Sequence, residues 1–275
     1  MIAKKLLLTG ICTTLCLLLI GCAGQQPTFS TTFDGVRIYY VAAGDGSPAL
    51  VFVHGWLADM AVWDQQMTAF SKTNTVVSLD LPGHGQSSVD RLNWTMTNYG
   101  RDVATLVEQL GLEEVILVGH SMGAAVVVEA ALMMPEAVIG IVVVDNFREV
   151  ETEYTEEEIH EAVNSRSPGF AQLIRENPNL IMAKSAWIGS YMEYLRWYGN
   201  SLTDGLEALR VSIYAINADY AETNVDMARK YAASFNLKII EGTGHVIMLE
   251  APDKFNDALR EIISEWSTSN VRDRN

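Results

Sequence analysis

Cysteine is scarce in this chain, with three in 275 residues. Three cysteines cannot build a disulfide framework. Basic residues are also few: 19 Lys and Arg stand against 34 Asp and Glu, a formal charge of −15. Such a chain lacks the positive field that holds a phosphate backbone, so no nucleic-acid partner is expected. The acidity reads instead as a solvated surface. Proline is limited to 7 residues and glycine to 20, while 49% of the residues are hydrophobic. That composition excludes a disordered, collagen-like or low-complexity chain. No internal repeat is visible, and the length suits one large α/β domain.

The first apolar run, Leu6 to Ile20, follows the charged start Lys4-Lys5. It is shorter than the roughly 20 residues that span a bilayer. A charged start, a short apolar run and small residues at its end read as a secretory signal. The ending Leu19-Ile20-Gly21-Cys22 resembles the bacterial lipobox. That resemblance implies cleavage before Cys22 and acylation of its thiol, hence attachment to a membrane through lipid. Cys12 and Cys16 would leave with the signal, so no cysteine nucleophile or cysteine-based metal site is expected. Residues 1–21 are thus read as a signal and 22–28 as a tether. The expected location is the bacterial cell envelope. Ala23 takes the place of the Asp that marks inner-membrane retention, which favours the outer membrane where one exists.

Beyond the tether, strand and helix alternate. Residues 29–34 and 36–41 read as a hairpin turning at Asp34-Gly35. Further strands are expected at 49–54, 75–80, 115–119, 139–145, 211–217 and 237–241. Helices fit 61–71, 98–110, 121–134, 224–235 and 252–266. Several strands are continuous apolar runs, as in strands buried on both faces. The pattern predicts an α/β fold with a mostly parallel eight-stranded sheet between two helical layers. The alternation stops over about 147–210, and an insertion of that length should carry its own structure, often a lid. Seven Glu between Glu149 and Glu161 read as a solvated helix face. Trp187, Tyr191, Tyr194 and Tyr198 recur at helical spacing and read as its packing face. Residues 268–275 are polar and expected to fray.

The chemistry is carried by Gly119-His120-Ser121-Met122-Gly123. The motif follows the apolar strand Val115–Val118 and precedes a helix. That is the setting of a G-x-S-x-G turn in which a serine is lifted out of the sheet. Neighbours packed too closely for side chains require glycine on either side. The helix start beneath the serine adds partial positive charge for an oxyanion. With three further motifs in order, the chain over about 29–267 resembles the α/β-hydrolase fold superfamily. These are His54-Gly55-Trp56 at a strand end, Asp80-Leu81-Pro82-Gly83-His84-Gly85-Gln86-Ser87 after the next strand, and Gly242-Thr243-Gly244-His245 with Glu250-Ala251-Pro252.

The resemblance implies roles. Ser121 is the expected nucleophile and His245 its base. His54 and His84 lie in turns where histidine is structural or lines the pocket, and His160 lies in the acidic helix. His120 is expected to point away from the nucleophile. The acid is expected after the seventh strand, where Asn217-Ala218-Asp219-Tyr220 departs from the family's G-x-x-D. A strict alignment sets Tyr220 at the acid position, and a loop one residue shorter would restore Asp219. Asp219 is therefore the expected acid, with Asp145 after the sixth strand as the alternative and Asp226 behind it. The backbone N–H groups of Trp56 and Met122 are the expected oxyanion hole. No metal and no organic cofactor is implied.

These residues point to a serine hydrolase that cleaves an ester or similar small-molecule acyl compound through an acyl-Ser121 intermediate. Two alternatives use the same chain. One is a carbon–carbon bond hydrolase or perhydrolase built on the same triad. The other is a catalytically silent, surface-anchored binding protein, supported by the imperfect loop at 217–220. Oligomeric state and substrate identity are not legible in the sequence.

Overall fold

The computed structural model describes residues 28–176 and 184–273. The expected signal, the lipidation site Cys22 and the tether up to residue 27 lie outside the described residues. Eight strands form one sheet: β1 Thr28–Thr31, β2 Arg37–Ala43, β3 Ala49–Val53, β4 Val76–Leu79, β5 Val115–His120, β6 Val138–Val144, β7 Ser212–Ala218 and β8 Phe235–Ile240. Their order is β1-β2-β4-β3-β5-β6-β7-β8. The β1–β2 and β2–β4 pairs are antiparallel, and the rest of the sheet is parallel. The expected hairpin is present, with Gly35 at φ 84° in its turn.

Helices α1 Asp64–Phe70, α2 Met96–Gln109 and α3 Met122–Met133 follow the first strands. Strand residues alternate between the two faces of the sheet. Val51, Val53, Leu117, Ile141 and Val143 pack with α2 and α3. Leu50, Phe52, Ile116, Val118, Val142 and Val144 pack on the opposite face. There they meet Phe70 of α1 and Phe255, Leu259 and Ile262 of the C-terminal helix. Both faces are covered, which is why the central strands read as unbroken apolar runs.

Between β6 and β7 lie α4 Glu156–Glu176, α5 Lys184–Asn200 and α6 Leu202–Ala208. After β7 come α7 Val225–Tyr231, then β8, α8 Ile247–Glu250 and α9 Pro252–Asp273. The last helix corrects one expectation: its backbone runs through residues 268–273, which contain no glycine or proline to stop it. Among the described residues, no helix is long and apolar enough to cross a membrane.

The expected packing face of the insertion is real. Trp187, Tyr191 and Tyr198 are buried, and Tyr191 stacks on Trp56 with ring centroids 4.3 Å apart. Trp56 Nε1 donates to the Trp187 carbonyl at 2.8 Å, and Trp187 Nε1 to the Gly83 carbonyl at 3.0 Å. Trp197 Nε1 donates to Glu129 of α3 at 2.6 Å. These bonds seat α5 over the C-terminal ends of the strands, where an open α/β sheet binds its ligands.

Candidate active site

Ser121 is the residue between β5 and α3, with φ 52° and ψ −120°. A non-glycine residue in this region costs on the order of 1–3 kcal/mol, and such strain persists only where the surroundings impose it. Here they do. A Cβ on Gly119 would lie 2.3 Å from the Gly123 carbonyl oxygen, and one on Gly123 would lie 2.6 Å from the Val53 oxygen. Both glycines are therefore needed to close strand onto helix. Ser121 N–H is bonded to the Val144 carbonyl of β6 at 3.0 Å, which ties the turn to the neighbouring strand end.

The loop after β3 abuts this turn. A Cβ on Gly55 would lie 3.0 Å from Ser121 Cβ. The buried His54 fixes the peptide that follows. Its Nε2 accepts from Leu81 N–H at 2.9 Å, so its proton sits on Nδ1, which donates to the Gly55 carbonyl at 2.7 Å. Burial pushes the His54 pKa down, in keeping with this neutral tautomer. The Gly55–Trp56 peptide is trans, so its N–H leaves on the side opposite its carbonyl, away from His54. Met122 begins α3, where the first N–H groups have no acceptor within the helix. Met122 N–H thus adjoins Ser121 at the start of α3, and the loop that carries Trp56 abuts the same turn.

The turn after β4 supports that loop. Asp80 accepts from Met60 N–H at 2.8 Å and Gln86 N–H at 2.7 Å, and Ser87 Oγ donates to the Asp80 carbonyl at 2.6 Å. Its acidic and hydroxyl residues are occupied in holding backbone.

His245 sits in the loop between β8 and α8, with its side chain 52% exposed. Glu250 grips the peptides on either side, accepting from Gly244 N–H at 2.6 Å and Val246 N–H at 3.4 Å. Nδ1 of His245 meets Asp145 Oδ2 at 2.6 Å. This corrects the expected acid. Asp219 is exposed and accepts from Gly242 N–H at 2.9 Å, three residues short of the histidine. It closes the turn after β8 instead of orienting the imidazole. Asp226, in the first turn of α7, is also exposed. The reason lies in sheet order. β6 is the direct neighbour of β5, so its end lies beside Ser121, whereas β7 is one strand further away.

Asp145 has no exposed side-chain surface and φ 50°. Its Oδ1 accepts from Ala218 N–H at 3.1 Å and from Arg148; its Oδ2 accepts from Tyr220 Oη–H as well as from His245. Burial opposes the charge, but the bonds from His245, Tyr220 and Ala218 and the Arg148 cation outweigh it. The pKa falls to about 2.

Three residues have supporting roles that the sequence did not assign to them. Asn146 Nδ2 donates to the Ser121 carbonyl at 2.5 Å and to Tyr194 Oη of α5 at 3.0 Å, linking the Ser121 turn to the helical insertion. Arg148 and Tyr220 bind Asp145. Tyr220 stood at the aligned acid position, the one signal that marked it. His120, expected to point away from the nucleophile, has its ring centroid 4.7 Å from that of His245. Burial first, then the nearby His245, pushes its pKa to about 3, so it is neutral. Its Nε2–H donates to the His245 carbonyl at 2.7 Å. His120 thus holds the base's own backbone. Among the described residues, no group of three or more His, Cys, Asp or Glu could hold a metal ion.

A model of the alpha/beta hydrolase family matches residues 50–258. The chain is 36% identical over 111 residues to the dihydrolipoyllysine-residue acetyltransferase component of an acetoin cleaving system from Cupriavidus necator, covering 40% of this chain and 30% of that one. It is 41% identical over 97 residues to a bifunctional esterase/perhydrolase from Acinetobacter calcoaceticus, covering 34% and 35%. The matches span about a third of the length of these relatives. Among solved structures, a bromoperoxidase from Bacillus anthracis superposes with a TM-score of 0.70 at 19% identity, covering 87% of this chain and 100% of that one. At that identity the likeness is one of fold.

Proposed function

The chain belongs to the alpha/beta hydrolase family, and from that premise we propose that it is a serine hydrolase of esters or similarly activated acyl compounds. The observation that carries this reading is the convergence of the strained Ser121 turn with the 2.6 Å His245–Asp145 pair at adjacent strand ends. Ser121 Oγ attacks the acyl carbon while His245 Nε2 takes its proton. Asp145 holds Nδ1–H and stabilises the imidazolium. The oxyanion is met by the N–H groups of Trp56 and Met122; one such donor contributes about 3 kcal/mol. The imidazolium then protonates the departing alkoxide, leaving acyl-Ser121. Water, deprotonated by His245, releases the acid.

A serine at the elbow favours acyl transfer over opening an epoxide, which family members perform with an aspartate there. Carbon–carbon hydrolysis and perhydrolysis stay open to the same triad. Against the silent-protein alternative, which rested on the imperfect loop at 217–220, stands the Asp145 carboxylate on His245 Nδ1. We extend the proposal to the N-terminus: Cys22 is acylated and tethers the enzyme to the bacterial envelope. Replacing Cys22 by Ser should then abolish incorporation of labelled fatty acid; retained label rejects the anchor.

The catalytic reading is tested with a fluorophosphonate probe and a panel of acyl esters of rising chain length. Labelling and turnover should both vanish in Ser121→Ala, with the melting temperature nearly unchanged. Turnover within tenfold of the parent removes Ser121 from the nucleophile role.

A further inference from the structure

The Asp145 carboxylate is held by more groups than a triad requires. Arg148, at the entrance to the lid, and Tyr220, in the turn after β7, both donate to it. They also brace each other, since the Arg148 guanidinium lies 4.5 Å from the Tyr220 ring centroid. Arg148 further donates to the Ala218 carbonyl at 3.0 Å and to the Ala221 carbonyl. Tyr220 is 58% exposed, so core burial does not explain its inward-turned hydroxyl.

We infer that Arg148 and Tyr220 are positioning residues that clamp Asp145, share its charge, and thereby set the basicity of His245. The inference rests on the reading of Asp145, His245 and Ser121 given above. Each donor on the carboxylate withdraws charge from the oxygen that faces Nδ1. The Arg148 cation also opposes the formation of imidazolium one carboxylate away. Of the other groups facing the His245 loop, Lys254 of α9 is a cation, reaching the Glu241 carbonyl at 3.4 Å, and the rest are acidic or neutral. Asp145 reaches it from β6, Glu250 from α8 through the flanking N–H groups, and Asp219 from beyond β7 through Gly242. His120 faces it from β5 and is uncharged.

The test is the pH profile of kcat/KM, which reports the base of the free enzyme. It uses the full chain with p-nitrophenyl acetate as probe. In Arg148→Met the acid limb should move up by about one pH unit. Arg148→Lys, which keeps the charge, should return most of that shift. Tyr220→Phe should move the limb the same way by a smaller amount, with KM within about twofold of the parent. Tyr220→Phe removes one hydroxyl from an exposed ring, so it carries the test even if Arg148→Met fails to fold. Profiles of folded variants that superimpose on the parent's, in an enzyme that Ser121→Ala inactivates, overturn the clamp alone. Activity surviving Ser121→Ala overturns the reading of the site and the clamp with it.

Discussion

Two neighbouring strands of this sheet run into an aspartate at their C-terminal ends. Asp145 follows β6 and Asp219 follows β7. The first has no exposed side-chain surface and accepts from a backbone N–H, an arginine, a tyrosine and a histidine. The second is exposed and accepts from the N–H of Gly242. A carboxylate does not orient an imidazole merely by standing near it in sequence. It must be kept ionised and pointed while buried, and that takes donors from several segments. At the end of β6 those donors converge; at the end of β7 they do not.

The largest effect that could break this contrast is catalytic. Asp145→Asn should lower kcat about 10³- to 10⁴-fold, because an amide can donate to Nδ1, fix the wrong tautomer and supply no charge to the imidazolium. KM should change little, since the loss falls on the transition state. A folded Asp145→Asn with near-normal kcat would return the acid to β7.

The next effect is on stability and has a definite sign. The Asp145 pKa is depressed to about 2 from an ordinary value near 3.9. A depressed carboxyl stabilises the fold above its unfolded pKa, and that contribution fades as pH falls from about 4 towards 2. The shift corresponds to about 2–3 kcal/mol. Urea unfolding between pH 5 and 2 should therefore show a steeper loss for the parent than for Asp145→Asn. Parallel curves would mean that the four donors do not hold the charge.

His120 offers a finer test, since it acts on the partner of Asp145. His120→Phe keeps a ring in the buried site but leaves the His245 carbonyl without its donor. A lost hydrogen bond of this kind is worth roughly 1–2 kcal/mol. The expected result is a kcat lower by about tenfold with KM held. An unchanged kcat would show that Glu250, through Gly244 and Val246, suffices to fix the loop.

What could be read in advance follows the range of the interactions. The Ser121 elbow is local: an apolar strand, two glycines and a helix start lie within a few residues, so the motif was visible in the chain. The two-sided sheet was visible because burial on both faces leaves unbroken apolar runs. The packing face of the insertion was visible through the spacing of Trp187, Tyr191 and Tyr198. The acid was not, because the choice between Asp145 and Asp219 depends on sheet order and on partners up to a hundred residues away. The role of His120 was not visible for the same reason, since its acceptor is the carbonyl of His245, distant in sequence. The departure of Asn217-Ala218-Asp219-Tyr220 from the family pattern was visible, but its cause was not. Asn217 is buried and bonded to Asn146 and Thr223, and Tyr220 turns its hydroxyl to the acid on β6.

The smallest effect sharpens the comparison from the other side. Asp219→Asn should leave kcat within about threefold of the parent. The substitution removes a charge but keeps an oxygen that can accept from Gly242 N–H, so the turn after β8 retains its bond. Asp219 is exposed, and at the surface its charge is screened by solvent and salt. The lost charge should therefore move the acid limb of kcat/KM slightly to lower pH, since one acidic neighbour of the His245 loop is gone. That displacement should shrink as salt is raised, whereas the effect of Asp145→Asn should not, because its carboxylate is shielded from ions. A kcat for Asp219→Asn lowered a hundredfold or more, in a variant whose Tm matches the parent, would mean that the loop after β8 reorganises during turnover to bring His245 to β7.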